Sequence, residues 1–110
     1  MEHIVEQNIL YDFYGELLTE HQRKIYESAV YEDLSLAELA EEYGITRQGV
    51  HDIIKRCDKI LEGYEDKLHM IERFMRIKEL TVRIEEAADS DKPGMSEEIK
   101  ELCKRLMETL

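Results

Sequence analysis

Between positions 46 and 56 the chain sets six side chains suited to reading nucleic acid: Thr46, Arg47, Gln48, His51, Lys55 and Arg56. Arginine can pair bidentately with guanine and glutamine with adenine, while a threonine and the free N–H groups of a helix start can hold phosphate. At helical spacing these residues share the outward surface of two or three turns with Asp52. Arg23 and Lys24 lie near the start of an earlier helical stretch, where the helix dipole disfavours cations by roughly a few tenths of a kcal/mol. Cations placed there point to a nearby anion, so both are assigned to the backbone of the same nucleic acid; two solubilising charges are the alternative. No catalytic constellation stands beside this set. His3, His21, His51 and His69 are scattered without metal-ligand spacing. The glycines Gly15, Gly44, Gly49, Gly63 and Gly94 do not cluster into a phosphate loop. No enzyme activity, metal or cofactor is expected.

Two short helices must position these residues. Ser35 caps the first, and Glu38 three residues on completes a capping box. Leu36 and Leu39 give it an apolar face, and Ala40 is small enough for a second helix to cross closely. Gly44 can take the positive φ that ends the helix, Ile45 plugs the corner and Thr46 caps the second helix. Val50, Ile53 and Ile54 then repeat at helical spacing. A helix-turn-helix needs this order of close crossing, sharp turn and buried anchor. Thr19 to Gln22 is a second capping box, opening a helix from Glu20 to Tyr31 that buries Ile25, Tyr26, Ala29 and Val30. A helix over 3–18, with a broad apolar face from Ile4 to Leu18, packs on the motif. Its aromatic turn Asp12-Phe13-Tyr14-Gly15 reads as core-facing.

Composition agrees with an all-α protein: one proline, no tryptophan and 37% charged residues in 110. No apolar run reaches membrane-spanning length, so no membrane insertion and a cytoplasmic location are expected. Cys57 and Cys103 are isolated and read as buried small hydrophobes in a reducing compartment. The net charge of −11 opposes nucleic-acid binding. Residues 1–18 carry −4, residues 19–62 carry −4 and residues 63–110 carry −3, whereas residues 46–60 carry +2. That leaves open a helix-turn-helix used for protein contacts, with the residues above as ordinary surface.

Beyond Arg56 the apolar spacing continues through Cys57, Leu61, Tyr64, Leu68, Ile71, Met75 and Val82, interrupted by Lys78. It predicts a long amphipathic helix to about Ala88, bent near Gly63. Such a seam buries itself against another helix. A homodimer through Cys57, Leu61, Tyr64, Leu68, Ile71 and Met75 is expected, with packing onto the helix at 3–18 as the alternative. Pro93-Gly94 marks a loop over 89–95, and Ser96 caps a final helix over 96–110. The domains expected are therefore a helix-turn-helix domain at 1–62 and a helical dimerisation arm at 63–110.

Residues 19–62 resemble region 4 of bacterial sigma factors, the helix-turn-helix that reads the −35 promoter element. The resemblance rests on Thr19-Glu20-His21-Gln22-Arg23, Ser35-Leu36-Ala37-Glu38-Leu39-Ala40 and Asp58-Lys59-Ile60-Leu61. Nearly the whole chain is more closely similar to the YlxM family of small bacterial helix-turn-helix proteins. The runs that carry this are Asp12-Phe13-Tyr14-Gly15-Glu16-Leu17-Leu18-Thr19, Tyr31-Glu32-Asp33-Leu34-Ser35-Leu36, Glu41-Glu42-Tyr43-Gly44-Ile45, Arg47-Gln48, and Tyr64-Glu65 followed by Lys67-Leu68. The resemblance implies a sigma-region-4-like domain of the winged-helix-like DNA-binding superfamily. It also implies a regulatory role tied to the signal recognition particle, because the family's genes lie beside that of the particle's GTPase. DNA, the particle's RNA and the GTPase itself are the partners it implies. A sigma factor's other regions have no counterpart here, so action as a sigma factor is not expected.

Overall fold

A computed structural model describes residues 3–110 as helices joined by short turns. In chain order these are α1 (His3–Tyr14), a 3-10 turn (Gly15–Leu17), α2 (Glu20–Val30), α3 (Leu36–Tyr43), α4 (Arg47–Leu68), α5 (Met70–Ala88) and α6 (Met95–Thr109). They form two compact units, residues 1–69 and 70–110. No helix among the described residues is long and apolar enough to cross a membrane.

The first unit is built around α3 and α4, and both expected caps are formed. Ser35 Oγ accepts from the Glu38 N–H at 3.1 Å, while Glu38 Oε1 accepts from the Ser35 N–H at 3.3 Å. Thr19 and Gln22 make the same reciprocal pair at the start of α2. Gly44 takes φ +66°, and its N–H, with that of Ile45, closes on the Ala40 carbonyl. Only a residue without Cβ enters that conformation at no steric cost. Thr46 Oγ1 then accepts from the Gly49 N–H at 2.9 Å and starts α4. Ile25, Leu39 and Val50 meet without any exposed surface, ringed by Ala29, Leu34, Ala40, Tyr43, Ile45, Ile53 and Ile54. Burying each of the three contributes roughly 1.5–3 kcal/mol.

α1 packs against α4. Its α-helix stops at Tyr14, short of the expected 18, because the 3-10 turn carries the chain round to Leu18. Gly15 is required there: a Cβ would lie 2.7–2.9 Å from three ring carbons of Tyr11. The Tyr11 ring in turn stacks on Tyr26 and meets Tyr31 edge-on. Tyr14 and Leu18 are buried as expected, whereas Ile4, Val5 and Leu17 remain exposed. The buried line of α1 is therefore narrower than its apolar residues imply, and it includes the polar Gln7.

Past the motif, α4 runs without a break through Gly63 and ends at Leu68. The interruption expected near Gly63 falls at His69, which takes φ +54°. Glycine inside a helix is tolerated at a modest cost, and histidine is among the residues enriched in the left-handed region. The two compact units divide at 69/70. In the second unit α5 and α6 pack on each other around Leu80, Ala87 and Leu102. Gly94, at φ +85°, precedes α6 with no side-chain cap, so Ser96 lies inside the helix and does not cap it. Cys57 is buried, but Cys103 is exposed on α6 and does not serve as a small core hydrophobe.

Candidate nucleic-acid interface

The outer face of α4 is where the residues suited to nucleic acid come together. Arg47, Gln48, His51, Lys55 and Arg56 are all exposed on this one helix, which the Ile25–Leu39–Val50 core holds in place. Thr46 precedes it as the cap; its oxygen accepts from Gly49, and its hydroxyl hydrogen remains available to donate. Gly49 keeps this start open, since an added Cβ would sit 3.1 Å from Thr46 Oγ1. Gln48 Nε2 donates to Asp52 Oδ1 at 2.9 Å, and His51 Nδ1 lies 3.7 Å from the same oxygen.

Asp58, the other carboxylate in this stretch, faces inward. Its side chain is 15% exposed and accepts from the Tyr26 hydroxyl at 2.6 Å and from Gln7 Nε2 at 3.0 Å, with His3 Nε2 at 3.7 Å. Burial, then the hydrogen bond to Asp58, pushes the Tyr26 phenol well above the usual tyrosine range. Burial likewise pushes the neighbouring Cys57 thiol up to about 11, with the Asp58 charge adding to it. With Asp58 mostly covered, the exposed charges over residues 47–59 are four cations (Arg47, Lys55, Arg56, Lys59) against the single carboxylate of Asp52. Lys59 belongs to this face although it was not among the expected site residues. Its position four after Lys55 was the signal. Lys55 and Lys59 line two grooves, one with Asp52 and Arg56 and another of about 390 Å³ between α1 and α4 that Asp58 and Glu62 also line.

Arg23 and Lys24 lie on α2, where they line a groove with Glu20 and Glu27. Arg23 lies half-buried beside Tyr11, whose hydroxyl contact, followed in effect by Glu27 and Glu16, holds the guanidinium pKa above its ordinary value. Tyr11 itself donates to Glu27, and burial raises its phenol pKa. Lys24 pairs with Glu20 at 3.4 Å on the open surface. The anions near these cations are the protein's own carboxylates.

The expected dimer seam divides as well. Cys57 and Leu61 have no exposed surface, because they form part of the interior of the first unit. Such residues cannot meet a second copy without unfolding the domain. Tyr64 and Ile71 are half-buried, and Leu68 and Met75 are exposed. Among the described residues no group of three His, Cys, Asp or Glu side chains converges as a metal site.

Comparison with known proteins agrees with this architecture. The chain matches, over residues 1–102, the family UPF0122, described as "Putative helix-turn-helix protein, YlxM / p13 like". A UPF0122 protein of Halalkalibacterium halodurans is 41% identical over 106 residues, covering 96% of this chain and 95% of that one. One from Desulforamulus reducens is 39% identical over 103 residues, covering 94% and 88%. A third, from Clostridium kluyveri, is 51% identical over 79 residues, covering 72% and 71%. With its helix-turn-helix formed and the match spanning both units, the chain belongs to the UPF0122 family of YlxM/p13-like helix-turn-helix proteins.

Proposed function

We propose that this protein is a non-enzymatic regulator that binds nucleic acid through the outer face of α4, with Arg47, Gln48 and His51 toward the bases and Thr46, Lys55, Arg56 and Lys59 toward phosphate. The observation that carries the reading is the local charge. In a chain of −11, residues 47–59 of the helix that a helix-turn-helix inserts into the major groove present four exposed cations against the exposed carboxylate of Asp52, with Asp58 mostly covered. By the resemblance to the YlxM family, the ligand is DNA or the RNA of the signal recognition particle, and the pathway regulated is that of the particle. The test is a titration of the purified protein against mixed duplex DNA and the particle's RNA at about 0.15 M salt, where the screening length is about 8 Å. Sub-micromolar binding that disappears in Arg47→Ala/Lys55→Ala is the expected result. Unchanged binding in that double variant refutes the assignment of the face.

A second reading is favoured by the acidity of the rest of the surface: a protein adaptor that meets a basic partner such as the particle's GTPase without touching DNA. Silence on both nucleic acids, together with altered GTP turnover that the double variant retains, would establish it. In either reading we propose a homodimer through the α5–α6 hairpin. Two helices cannot cover both sides of an apolar layer, and Met75, Val82, Met107 and Leu110 stay exposed there. Sedimentation of Met75→Glu/Met107→Glu beside the wild type tests this. A wild-type monomer at micromolar concentration ends the proposal.

A further inference from the structure

Asp52 is out of place on a face meant for DNA. Its carboxylate is 59% exposed, repels phosphate and stands among the residues assigned to the bases. Yet it is not idle, because Oδ1 accepts from Gln48 Nε2 at 2.9 Å, one helical turn away. A carboxylate at neutral pH only accepts, so the NH2 end of the Gln48 amide must face it. This settles which way round the amide stands. One N–H is held by Asp52, which leaves the second N–H and the carbonyl oxygen of this exposed side chain as a donor beside an acceptor. Adenine presents the complement in the major groove, an acceptor at N7 beside a donor at N6.

We propose that Asp52 is the positioning residue of the interface: it orients the Gln48 amide so that the Gln48–Asp52 pair selects adenine at one base pair of the bound duplex. The inference rests on the nucleic-acid reading of α4 and names what that face prefers.

The experiment is selection from a pool of duplexes randomised over about ten base pairs, the span of one helical turn, followed by titration of the selected duplex and of single-base-pair variants. Wild type, Gln48→Ala, Asp52→Ala, Asp52→Asn and the double variant Gln48→Ala/Asp52→Ala are compared, with circular dichroism to confirm the fold. The wild type is expected to prefer an A·T pair at one position by about five- to 150-fold, the range of one bidentate contact. Gln48→Ala and Asp52→Ala should both lose that preference at the same position, and the double variant should lose no more. Asp52→Ala should in addition bind unmatched duplex more tightly. Asp52→Asn keeps an acceptor oxygen and should retain the preference while sharing the tighter unmatched binding. A preference that survives Asp52→Ala, one lost at a different base pair from Gln48→Ala, or one lost as fully in Asp52→Asn overturns the positioning role and leaves the nucleic-acid reading standing. A wild type that binds no duplex at all overturns that reading, and this inference with it.

Discussion

The Tyr26–Asp58–Gln7 cluster makes a sharp quantitative test, because the sign of one substitution should depend on another. Tyr26 has no exposed surface, and its hydroxyl donates to Asp58 at 2.6 Å. Replacing Tyr26 by Phe in the wild type removes a hydrogen bond to a carboxylate, which contributes about 1.5–3 kcal/mol. Asp58 retains Gln7 and some water, so the lower end, about 1.5 kcal/mol, is expected. Asp58→Ala is worse. It strands the buried hydroxyl and the Gln7 amide, 8% exposed, without an acceptor. At about 1–3 kcal/mol for each stranded group, the cost is about 2–6 kcal/mol. In that background the hydroxyl is a liability, so adding Tyr26→Phe should be neutral or should recover about 1–2 kcal/mol. The coupling between the two sites is then about 1.5–3.5 kcal/mol. Urea denaturation of the four proteins, followed by far-ultraviolet circular dichroism, measures it. If Tyr26→Phe costs the same with and without Asp58, the buried pair is not what holds α1, α2 and α4 together.

The same geometry sets three further outcomes. At pH 8 a thiol reagent should label native Cys103 promptly and Cys57 only on unfolding, since Cys57 is enclosed and its thiol is raised to about 11; equal labelling of both in the native protein would contradict that burial. The raised Tyr26 pKa predicts alkaline instability. The unfolded phenol ionises near 10 while the folded one keeps its proton, so the stability it confers is complete below pH 10 and is lost as pH rises above it. Denaturation midpoints should therefore fall above pH 10, more steeply in the wild type than in Tyr26→Phe, and parallel slopes would assign the loss elsewhere. Gly44→Ala should cost about 1 kcal/mol in the same denaturation assay, because alanine is strained at φ +66°, whereas Gly63→Ala, in a helix interior with nothing within 4 Å of the new Cβ, should gain about 0.5–1 kcal/mol; equal effects at the two glycines would refute the argument.

Elements whose signals are local could be read from the chain alone. Capping at Ser35, Thr19 and Thr46 depends on contacts three residues apart, and the turn at Gly44 on the conformational freedom of one residue. Those signals sufficed for the helix-turn-helix and for the exposure of Arg47, Gln48, His51, Lys55 and Arg56, because helical spacing spreads them over the half of α4 opposite Val50, Cys57 and Leu61. Spacing cannot say which residues the fold itself consumes. Asp52 and Asp58 are both aspartates six residues apart on one helix, yet one joins the reading face and the other is drawn inward by Tyr26 and Gln7, partners 32 and 51 residues away. Arg23 sits beside Tyr11, twelve residues away on α1. Cys57 and Leu61 continue the apolar seam of Leu68 and Met75 in sequence, but only α1 and α2 folding over α4 consumes them. An apolar period states that a face will be covered; which element covers it is settled by packing between segments distant in the chain.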